Sequence, residues 1–220
     1  MICDLRLYAL VDPARSGGKP LDQLARELAE GGATLLQLRD KTSSTLRLIE
    51  QARAIKAALA GTSVPFLIND RVDVALAAQA DGVHVGWDDM PVAEARRLLG
   101  KDAIIGLSIQ TPEQANAAPL DMLDYVCIGG VFETQSKDNP RPPVGTGGFA
   151  KLAALIRARK ANMPVGAIAG IDSSNAASVI EAGADGVAVI SALSLAQDPK
   201  RAAHDLRKLI DAALTRRGAV

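Results

Sequence analysis

The stretch QADGVHVG, residues 79–86, joins the end of a helical segment to a short β-rich run through an Asp-Gly turn. The same order recurs in GADGVAVIS at 183–191, and LDYVCIGG at 123–130 is a looser copy. Joints of this kind are typical of the αβ turns on the stability face of a barrel. We therefore expect Asp81 and Asp185 to have structural roles.

Apolar, β-rich runs of four to six residues occur along the whole chain, with amphipathic helical patterns between them. The predicted strands are Arg6–Val11, Leu35–Arg39, Pro65–Ile68, Gly82–Val85, Ile104–Ser108, Tyr125–Ile128, Val165–Ile168 and Gly186–Ile190. Strands separated by helices run parallel, and eight such units close into a (β/α)8 barrel, the TIM-barrel form of the α/β class. A doubly wound open sheet is the alternative, but LVDPARSGGKP after the first strand is not G-x-G-x-x-G.

Residues that favour helix N-termini mark several of the predicted helices. Ser43-Ser44 precedes the second helix, Thr111-Pro112 the fifth and Ser173-Ser174 the seventh. No linker interrupts the series of strands and helices, and 220 residues suit one α/β barrel. The prediction is therefore a single TIM-barrel catalytic domain over residues 1–220.

The composition excludes several function classes. The 25 basic and 25 acidic residues cancel, which argues against broad binding of nucleic acids or anionic membranes. The first residues, MICDLRLYALVDP, contain neither a basic leader nor a long apolar run, so we expect a cytoplasmic protein without a membrane span. Cys3 and Cys127 lack metal-ligand spacing, and two histidines cannot build a zinc site of the usual kind. A homo-oligomer stays open.

Polar residues follow the second strand at every second position. Gln37, Arg39 and Lys41 therefore share one face of an extended segment. Such a ladder of donors suits an extended anion such as a diphosphate, and the carboxyl ends of barrel strands are where catalytic groups collect. For Lys41 the alternative is simple solvation, whereas a buried Gln37 needs a hydrogen-bonding partner.

Carboxylates follow the third and fourth strands at the same end of the barrel. Asp70 in LINDRVD and Asp89 in HVGWDDMP are candidate metal ligands, because Mg2+ prefers oxygen ligands completed by substrate phosphates. The alternative is that Asn69 or Asp70, and Asp88 or Asp89, cap the helices that follow. We expect His84, which lies between valines, to be a hydrogen-bonded barrel residue rather than a catalytic one.

Glycines and serines mark the last strands as a phosphate monoester site. The long connection at 129–148 ends in GTGG, and AIAGID at 167–172 and AVIS at 188–191 add exposed N–H groups and a serine. Barrels often bind phosphate with the loops after strands seven and eight.

The motifs together resemble those of the thiamine-phosphate synthases (thiamine-phosphate pyrophosphorylases) over essentially the whole chain. They occur in the order LQLRDK, LINDRVDVAL, ADGVHVGWDD, IGLSIQT, FETQSKDNP, AIAGID and GADGVAVIS. The resemblance implies a transferase that joins 4-amino-2-methyl-5-(diphosphooxymethyl)pyrimidine to a thiazole phosphate in the presence of Mg2+. It would form thiamine phosphate and release diphosphate.

The resemblance also implies roles for individual residues. The pyrimidine diphosphate would be held by Gln37, Leu38, Arg39, Asp40, Lys41, Asn69, Ser108 and Lys137. Among these, the catalytic candidates are Arg39, Ser108 and Lys137. The thiazole phosphate would be held by Thr134, Gln135, Ser136, Gly170, Ile190 and Ser191, and Mg2+ by Asp70 and Asp89.

Several positions depart from the family pattern. Trp87 stands where the family commonly has Gln, Gly130 and Glu133 replace prolines, Ser136 replaces a frequent Thr, and Ala169 replaces a Gly. These departures concern the thiazole side and the sixth loop more than the diphosphate and metal groups.

Three other functions fit the same barrel. A thiazole tautomerase-like isomerase would use a histidine shortly after the fifth strand, where this chain has Gln110. A phosphosugar aldolase or isomerase would form a Schiff base on Lys41 or Lys137. A non-catalytic phosphate-binding barrel is a poor fit to so complete a set of charged groups.

Overall fold

The computed structural model describes residues 3–136 and 141–218, which form a closed barrel of eight parallel strands with helices around it. The strands are β1 (Leu7–Val11), β2 (Leu35–Leu38), β3 (Phe66–Asn69), β4 (Gly82–Val85), β5 (Ile104–Ile109), β6 (Tyr125–Ile128), β7 (Val165–Ile168) and β8 (Gly186–Val189). The helices are α1 (Leu21–Glu30), α2 (Thr45–Ala58), α3 (Val72–Ala78), α4 (Val92–Leu99), α5 (Pro112–Ala117), α6 (Gly145–Arg159), α7 (Ala176–Glu181), α8 (Ser191–Ser194) and α9 (Pro199–Arg217). Short 3-10 helices cover Pro13–Arg15 and Leu120–Met122.

The closed parallel sheet confirms the predicted (β/α)8 architecture. Each strand pairs with the next along the chain, and β8 closes on β1 with Ala188 opposite Tyr8. Every predicted strand agrees with the structure to within one residue at each end. Within the described parts of the chain, no helix combines the length and the apolar composition that crossing a bilayer requires.

Two of the three predicted helix starts are confirmed. Ser44 and Thr111 cap α2 and α5 by accepting the backbone N–H three residues further on. The prediction for the seventh helix is wrong, because α7 starts only after Asn175. Asp172 instead accepts the N–H of Ser174 at 2.8 Å and its hydroxyl at 2.6 Å, which holds Ser173-Ser174 in a turn before the helix.

Side chains along each strand alternate between the barrel lumen and the surrounding helices. On β2, Leu35 and Gln37 face the lumen, whereas Leu36 and Leu38 belong to the large apolar layer between strands and helices. This alternation, rather than position along the chain alone, decides which residues of a strand can reach the mouth of the barrel.

A repeated hydrogen bond closes the amino-terminal end of the barrel. An aspartate just before an even-numbered strand accepts a backbone N–H from the start of the strand before it, at 2.8–2.9 Å; the pairs are Asp81 with Phe66, Asp124 with Ile105 and Asp185 with Val165. Thr34 accepts the N–H of Leu7 in the same way at 3.1 Å. The structural roles predicted for Asp81 and Asp185 are thus confirmed.

Asp185 is the most heavily bonded of these caps, since it also binds Arg157 at 2.8 Å and Arg217 at 3.1 Å. We expect Asp185→Ala to lower the free energy of unfolding by about 2 kcal/mol, because the Val165 N–H and the Arg157 guanidinium lose their acceptor and Arg217 keeps only its two backbone carbonyls. Chemical denaturation measures the effect, with Asp102→Ala, an exposed aspartate at the same end of the barrel, as the control. Equal stability of the two variants would contradict the role of Asp185.

Candidate active site

The carboxyl ends of the strands surround a cavity of about 810 Å³, including its open mouth. All eight strands or the loops that follow them contribute to its lining. The predicted site residues that line it are Gln37, Arg39, Asn69, Ser108, Thr134, Ser136, Gly170, Ile190 and Ser191. Lys137, the remaining catalytic candidate, lies outside the described residues.

Arg39 is held at the mouth by a buried ion pair. Its guanidinium lies 2.6 Å from a carboxylate oxygen of Asp12, and the two side chains are only 15% and 5% exposed. The other oxygen of Asp12 accepts the N–H of Ala14 at 2.9 Å, so the carboxylate is itself fixed. Sequence reasoning missed Asp12, although an acidic residue directly after β1 carries the same signal as Asp70 after β3.

Two carboxylates meet beside the strand end that carries Lys41. The ammonium of Lys41 donates to Asp70, and Asp89 accepts the N–H of Gly86 at 2.8 Å. Burial, reinforced by the neighbouring Asp89 carboxylate, raises the pKa of Asp70 above its usual range, although Lys41 opposes the shift. Asp70 also has a backbone φ of +61°, a strained conformation of the kind that clusters at functional sites.

The alternative in which these carboxylates act as helix caps is wrong. The helices α3 and α4 start after Arg71 and Pro91, and neither start receives a hydrogen bond from a capping side chain. Asp70 and Asp89 are therefore available to a ligand, whereas Asp88 is exposed to solvent.

The two carboxylates fit a divalent cation that substrate oxygens complete. Burial first, and then the neighbouring Asp89, raise the pKa of Asp70, and a cation between the two carboxylates would offset both effects. Among residues 3–136 and 141–218, no group of three or more His, Cys, Asp or Glu side chains could hold a metal. The pair of carboxylates matches Mg2+, which is usually bound by one or two carboxylates plus phosphates and water.

Six of the predicted site residues that the structure describes do not line the cavity. Lys41, Asp70 and Asp89 lie together at neighbouring strand ends outside its lining, and the other three turn their side chains elsewhere. Leu38 packs against the helices, and Gln135 is exposed, with its carbonyl accepting the guanidinium of Arg15. Asp40 accepts the N–H groups of Thr42 and Ser43 at 2.9 Å. Although burial opposes the change, these bonds lower the pKa of Asp40, which indicates a loop-shaping role.

The loops after β6, β7 and β8 meet on the opposite side of the cavity. The hydroxyls of Ser136 and Ser191 are 2.7 Å apart, and Thr134 accepts the N–H of Ser136 at 3.1 Å. Gly170 has φ +65°, and a Cβ there would lie 2.2 Å from the carbonyl oxygen of Glu133, so only glycine lets the two loops approach. The predicted contribution of GTGG at 145–148 is absent from this cavity, because these residues form the first turn of α6.

His84 is hydrogen-bonded inside the barrel, as predicted. Its ring nitrogens lie 2.9 Å from the Tyr125 hydroxyl and 2.9 Å from the Ser108 hydroxyl. Gln37, whose buried amide needed a partner, donates to the hydroxyl of Tyr8. The sequence did not reveal the hydrogen-bonding role of either tyrosine, because each fits the apolar pattern of its strand.

Comparison with known protein families matches residues 7–193 to the family described as thiamine monophosphate synthase. A thiamine-phosphate synthase of Agrobacterium fabrum is 56% identical over 214 residues, which cover 97% of each chain. One from Moorella thermoacetica is 41% identical over 94% of this chain and 96% of its own. This chain belongs to the thiamine monophosphate synthase family.

A solved structure agrees with that assignment at the level of the fold. The thiamine phosphate pyrophosphorylase from Pyrococcus furiosus superposes with a TM-score of 0.83 and 36% sequence identity, covering 96% of this chain and 98% of the other. The resemblance of the sequence motifs to this synthase family is thus confirmed over nearly the whole barrel.

Ala169 is strained. Its backbone φ is +97°, in the region that favours glycine, and it lies in the cavity wall. The β6–α6 loop depends on this conformation, since the N–H of Phe132 donates to the Ala169 carbonyl at 3.1 Å.

We expect Ala169→Gly to raise the free energy of unfolding by about 1 kcal/mol, because glycine adopts this φ without strain. The matched control is Ala167→Gly on β7, at a fully buried strand position with ordinary backbone. This variant should have a free energy of unfolding about 1 kcal/mol below that of the wild type. Thermal and chemical denaturation of both variants give the sign of each change in stability. Destabilisation by Ala169→Gly would show that the strain is absent.

Proposed function

We propose that this chain catalyses the reaction for which its family is named. It would join 4-amino-2-methyl-5-(diphosphooxymethyl)pyrimidine to a thiazole phosphate, giving thiamine phosphate and diphosphate. The observation that carries the proposal is the placement of Arg39 in the cavity wall, the cluster of Lys41, Asp70 and Asp89 at the neighbouring strand ends, and the hydroxyls of Ser136 and Ser191 across the cavity.

The charged side of the mouth would bind the diphosphate. Asp12 fixes the Arg39 guanidinium through one of its N–H groups, which leaves others of its donor fork for phosphate oxygens. Lys41 is half-exposed and adds a mobile positive charge beside Asp70. The resemblance implies a further cation for the diphosphate, Lys137, which follows Ser136 in the sequence.

Asp70 and Asp89 would hold Mg2+ together with the diphosphate oxygens. A bound Mg2+ supplies neutralising charge for the departing diphosphate. The chain's own contribution is to keep both carboxylates fixed, Asp89 through the Gly86 N–H and Asp70 through the Lys41 ammonium. The binding of cation and substrate would therefore be mutually dependent.

The side of the mouth that carries the hydroxyls would bind the phosphate of the thiazole. Thr134, Ser136 and Ser191 supply hydroxyls, and α8 begins at Ser191 directly after β8. Barrels often bind phosphate with the loops after strands seven and eight and the start of a short extra helix.

The proposed bond change requires no general base. The bond between the pyrimidine methylene carbon and the diphosphate oxygen breaks, and a bond from the thiazole nitrogen to that carbon forms. The nitrogen uses its lone pair and loses no proton. Arg39 and Lys41 stabilise the negative charge that develops on the leaving group, which is where such a reaction needs preorganised charge.

The alternative functions fit the site less well. Gln110 lines the cavity at the position where the tautomerase-like isomerases have a histidine, and an amide cannot transfer a proton in that way. Lys41 is 51% exposed and ion-paired with Asp70, whereas a Schiff-base lysine is activated by desolvation or by a neighbouring cation. The relatives with the synthase name favour the transferase over both.

We further propose that residues 1–220 act as one catalytic domain in the cytoplasm. Cys3 and Cys127 are free thiols, and burial raises the pKa of Cys3 to about 12. Unreactive thiols of this kind agree with a reducing compartment. A homo-oligomer remains compatible with the barrel.

The purified protein, mixed with both phosphorylated precursors and Mg2+, should form thiamine phosphate, detected by its fluorescence after oxidation. Excess EDTA should abolish the reaction and added Mg2+ should restore it, because the carboxylate pair needs a cation to accept the diphosphate. Full activity in chelator would remove the metal from the proposal, and absence of product with Mg2+ would overturn the function.

Asp70→Asn and Asp89→Asn should each lower kcat/KM by roughly 100-fold or more, because each removes a metal ligand and leaves the backbone intact. The control is Asp88→Asn, which changes the neighbouring exposed carboxylate and should stay within about twofold of wild type. Steady-state kinetics at several Mg2+ concentrations measure the effect. Equal losses for Asp88→Asn and Asp89→Asn would argue against a specific site.

A further inference from the structure

A chain of hydrogen bonds crosses the barrel lumen and ends at a cavity residue on each side. Gln37 on β2 donates to the Tyr8 hydroxyl, which lies 2.9 Å from the Tyr125 hydroxyl. Nδ1 of His84 lies 2.9 Å from that second hydroxyl, and Nε2 lies 2.9 Å from Oγ of Ser108 on β5. Both end residues, Gln37 and Ser108, line the cavity.

We call this hydrogen-bonded chain the relay; its members are Gln37, Tyr8, Tyr125, His84 and Ser108. Packing fixes its middle. The Tyr8 and Tyr125 rings meet edge-on with centroids 5.8 Å apart, and the His84 ring stacks on Tyr125 at 5.5 Å. Gly106 makes room for the Tyr125 ring, since a Cβ at this position would lie 2.1 Å from it. Burial raises the pKa of both phenols well above the usual range, so each hydroxyl keeps one proton to donate.

With one proton on each hydroxyl and a neutral imidazole, the relay has two fully bonded arrangements. In the first, protons point from the Gln37 amide through both tyrosines to Nδ1 of His84. Its Nε2–H is then donated to Ser108, whose own proton faces the cavity. In the second, the Gln37 amide is turned and every donor is reversed, so that Ser108 donates to His84 and the Gln37 N–H faces the cavity.

An unsatisfied atom at one end of the relay points to a ligand. Oε1 of Gln37 is buried, and no described residue donates to it. The whole Gln37 residue is only 1% exposed, yet it borders the cavity. Buried polar atoms in native proteins nearly always have a partner, so this oxygen is in position to accept a hydrogen bond from a molecule in the cavity.

We propose that Tyr8, Tyr125 and His84 are positioning residues that control which heterocycle the cavity accepts. In either arrangement they force Gln37 and Ser108 to present opposite polarity, one as donor and the other as acceptor. The cavity then selects a ring that has an acceptor at one end and a donor at the other. N1 and the 4-amino group of the pyrimidine substrate lie at opposite ends of its ring and supply that pair. The identity of the ring rests on the proposed function.

Tyr8→Phe and Tyr125→Phe each remove one oxygen and interrupt the relay, leaving Gln37 and Ser108 in place. Isothermal titration without Mg2+ compares the phosphate monoester of 4-amino-5-hydroxymethyl-2-methylpyrimidine with an analogue that has hydrogen in place of the amino group. We expect wild type to prefer the amino compound by at least ~10-fold, because the analogue leaves a cavity group unpaired. In both variants the preference should fall to ~3-fold or less, since the uncoupled ends can then reorient.

Ser194→Ala is the matched control. Its hydroxyl is fully buried and donates to the Leu10 carbonyl at 3.4 Å, but Ser194 is not among the residues that line the cavity. This variant should keep the wild-type preference. A wild-type preference retained in Tyr8→Phe and Tyr125→Phe, or no preference in wild type, would overturn the proposal.

Circular dichroism shows which variants fold. If only one tyrosine variant folds, its preference for the amino compound over the analogue decides the test. If neither folds, the relay is a structural element, and its role in selecting the heterocycle is overturned. Product formation by wild type is assayed separately. If the wild type prefers the amino compound but forms no thiamine phosphate, the proposed function is refuted and the selective role of the relay stands. If it forms product but shows no preference, only the selective role of the relay is refuted.

Discussion

The alternation of side chains along parallel strands that close into a barrel is the constraint on which this site depends. Closure brings all eight carboxyl ends to one mouth, and alternation admits only every second side chain to it. Gln37 and Arg39 reach the cavity for this reason, whereas Leu38 between them packs against the helices. A shift of one residue in β2 would bury the cation and expose leucines to a polar ligand.

Charge is distributed unevenly around the mouth, and the division suits the proposed reaction. The side formed by β1 to β4 and the loops after them holds ionisable groups: Asp12, Arg39, Lys41, Asp70 and Asp89. Among the described residues that line the cavity, those in the loops after β6 to β8 supply hydroxyls and glycine backbone. A diphosphate with its cation needs the first environment, and a phosphate monoester that does not react is held well by neutral dipoles. Between these two sides, Gln37 and Ser108 at the ends of the relay would hydrogen-bond the pyrimidine ring.

Local sequence patterns predicted the frame of the structure well. The apolar runs placed all eight strands to within one residue, because buried parallel strands are mostly apolar over their short length. The Asp-Gly turns were predicted as structural, and their carboxylates accept strand N–H groups. The start of α7 was missed, because Ser173-Ser174 bonds to Asp172 in preference to capping the helix.

The pairings across the barrel could not be predicted in the same way. Tyr8 and Tyr125 lie 117 residues apart and each fits an apolar strand, so nothing local reveals that their hydroxyls meet. Asp12 could have been found by applying to β1 the rule used for the other strand ends. The side chains of Leu38 and Asp40 could have been excluded by the same alternation that selected Gln37 and Arg39.

A crystal structure of the protein grown with Mn2+ and inorganic diphosphate tests the central claim most directly. Mn2+ replaces Mg2+ at oxygen sites and can be located by its anomalous scattering. The account predicts one Mn2+ coordinated by Asp70, Asp89 and the diphosphate, with Arg39 bonded to the same anion. Diphosphate bound elsewhere, or Mn2+ that touches neither carboxylate, would contradict it.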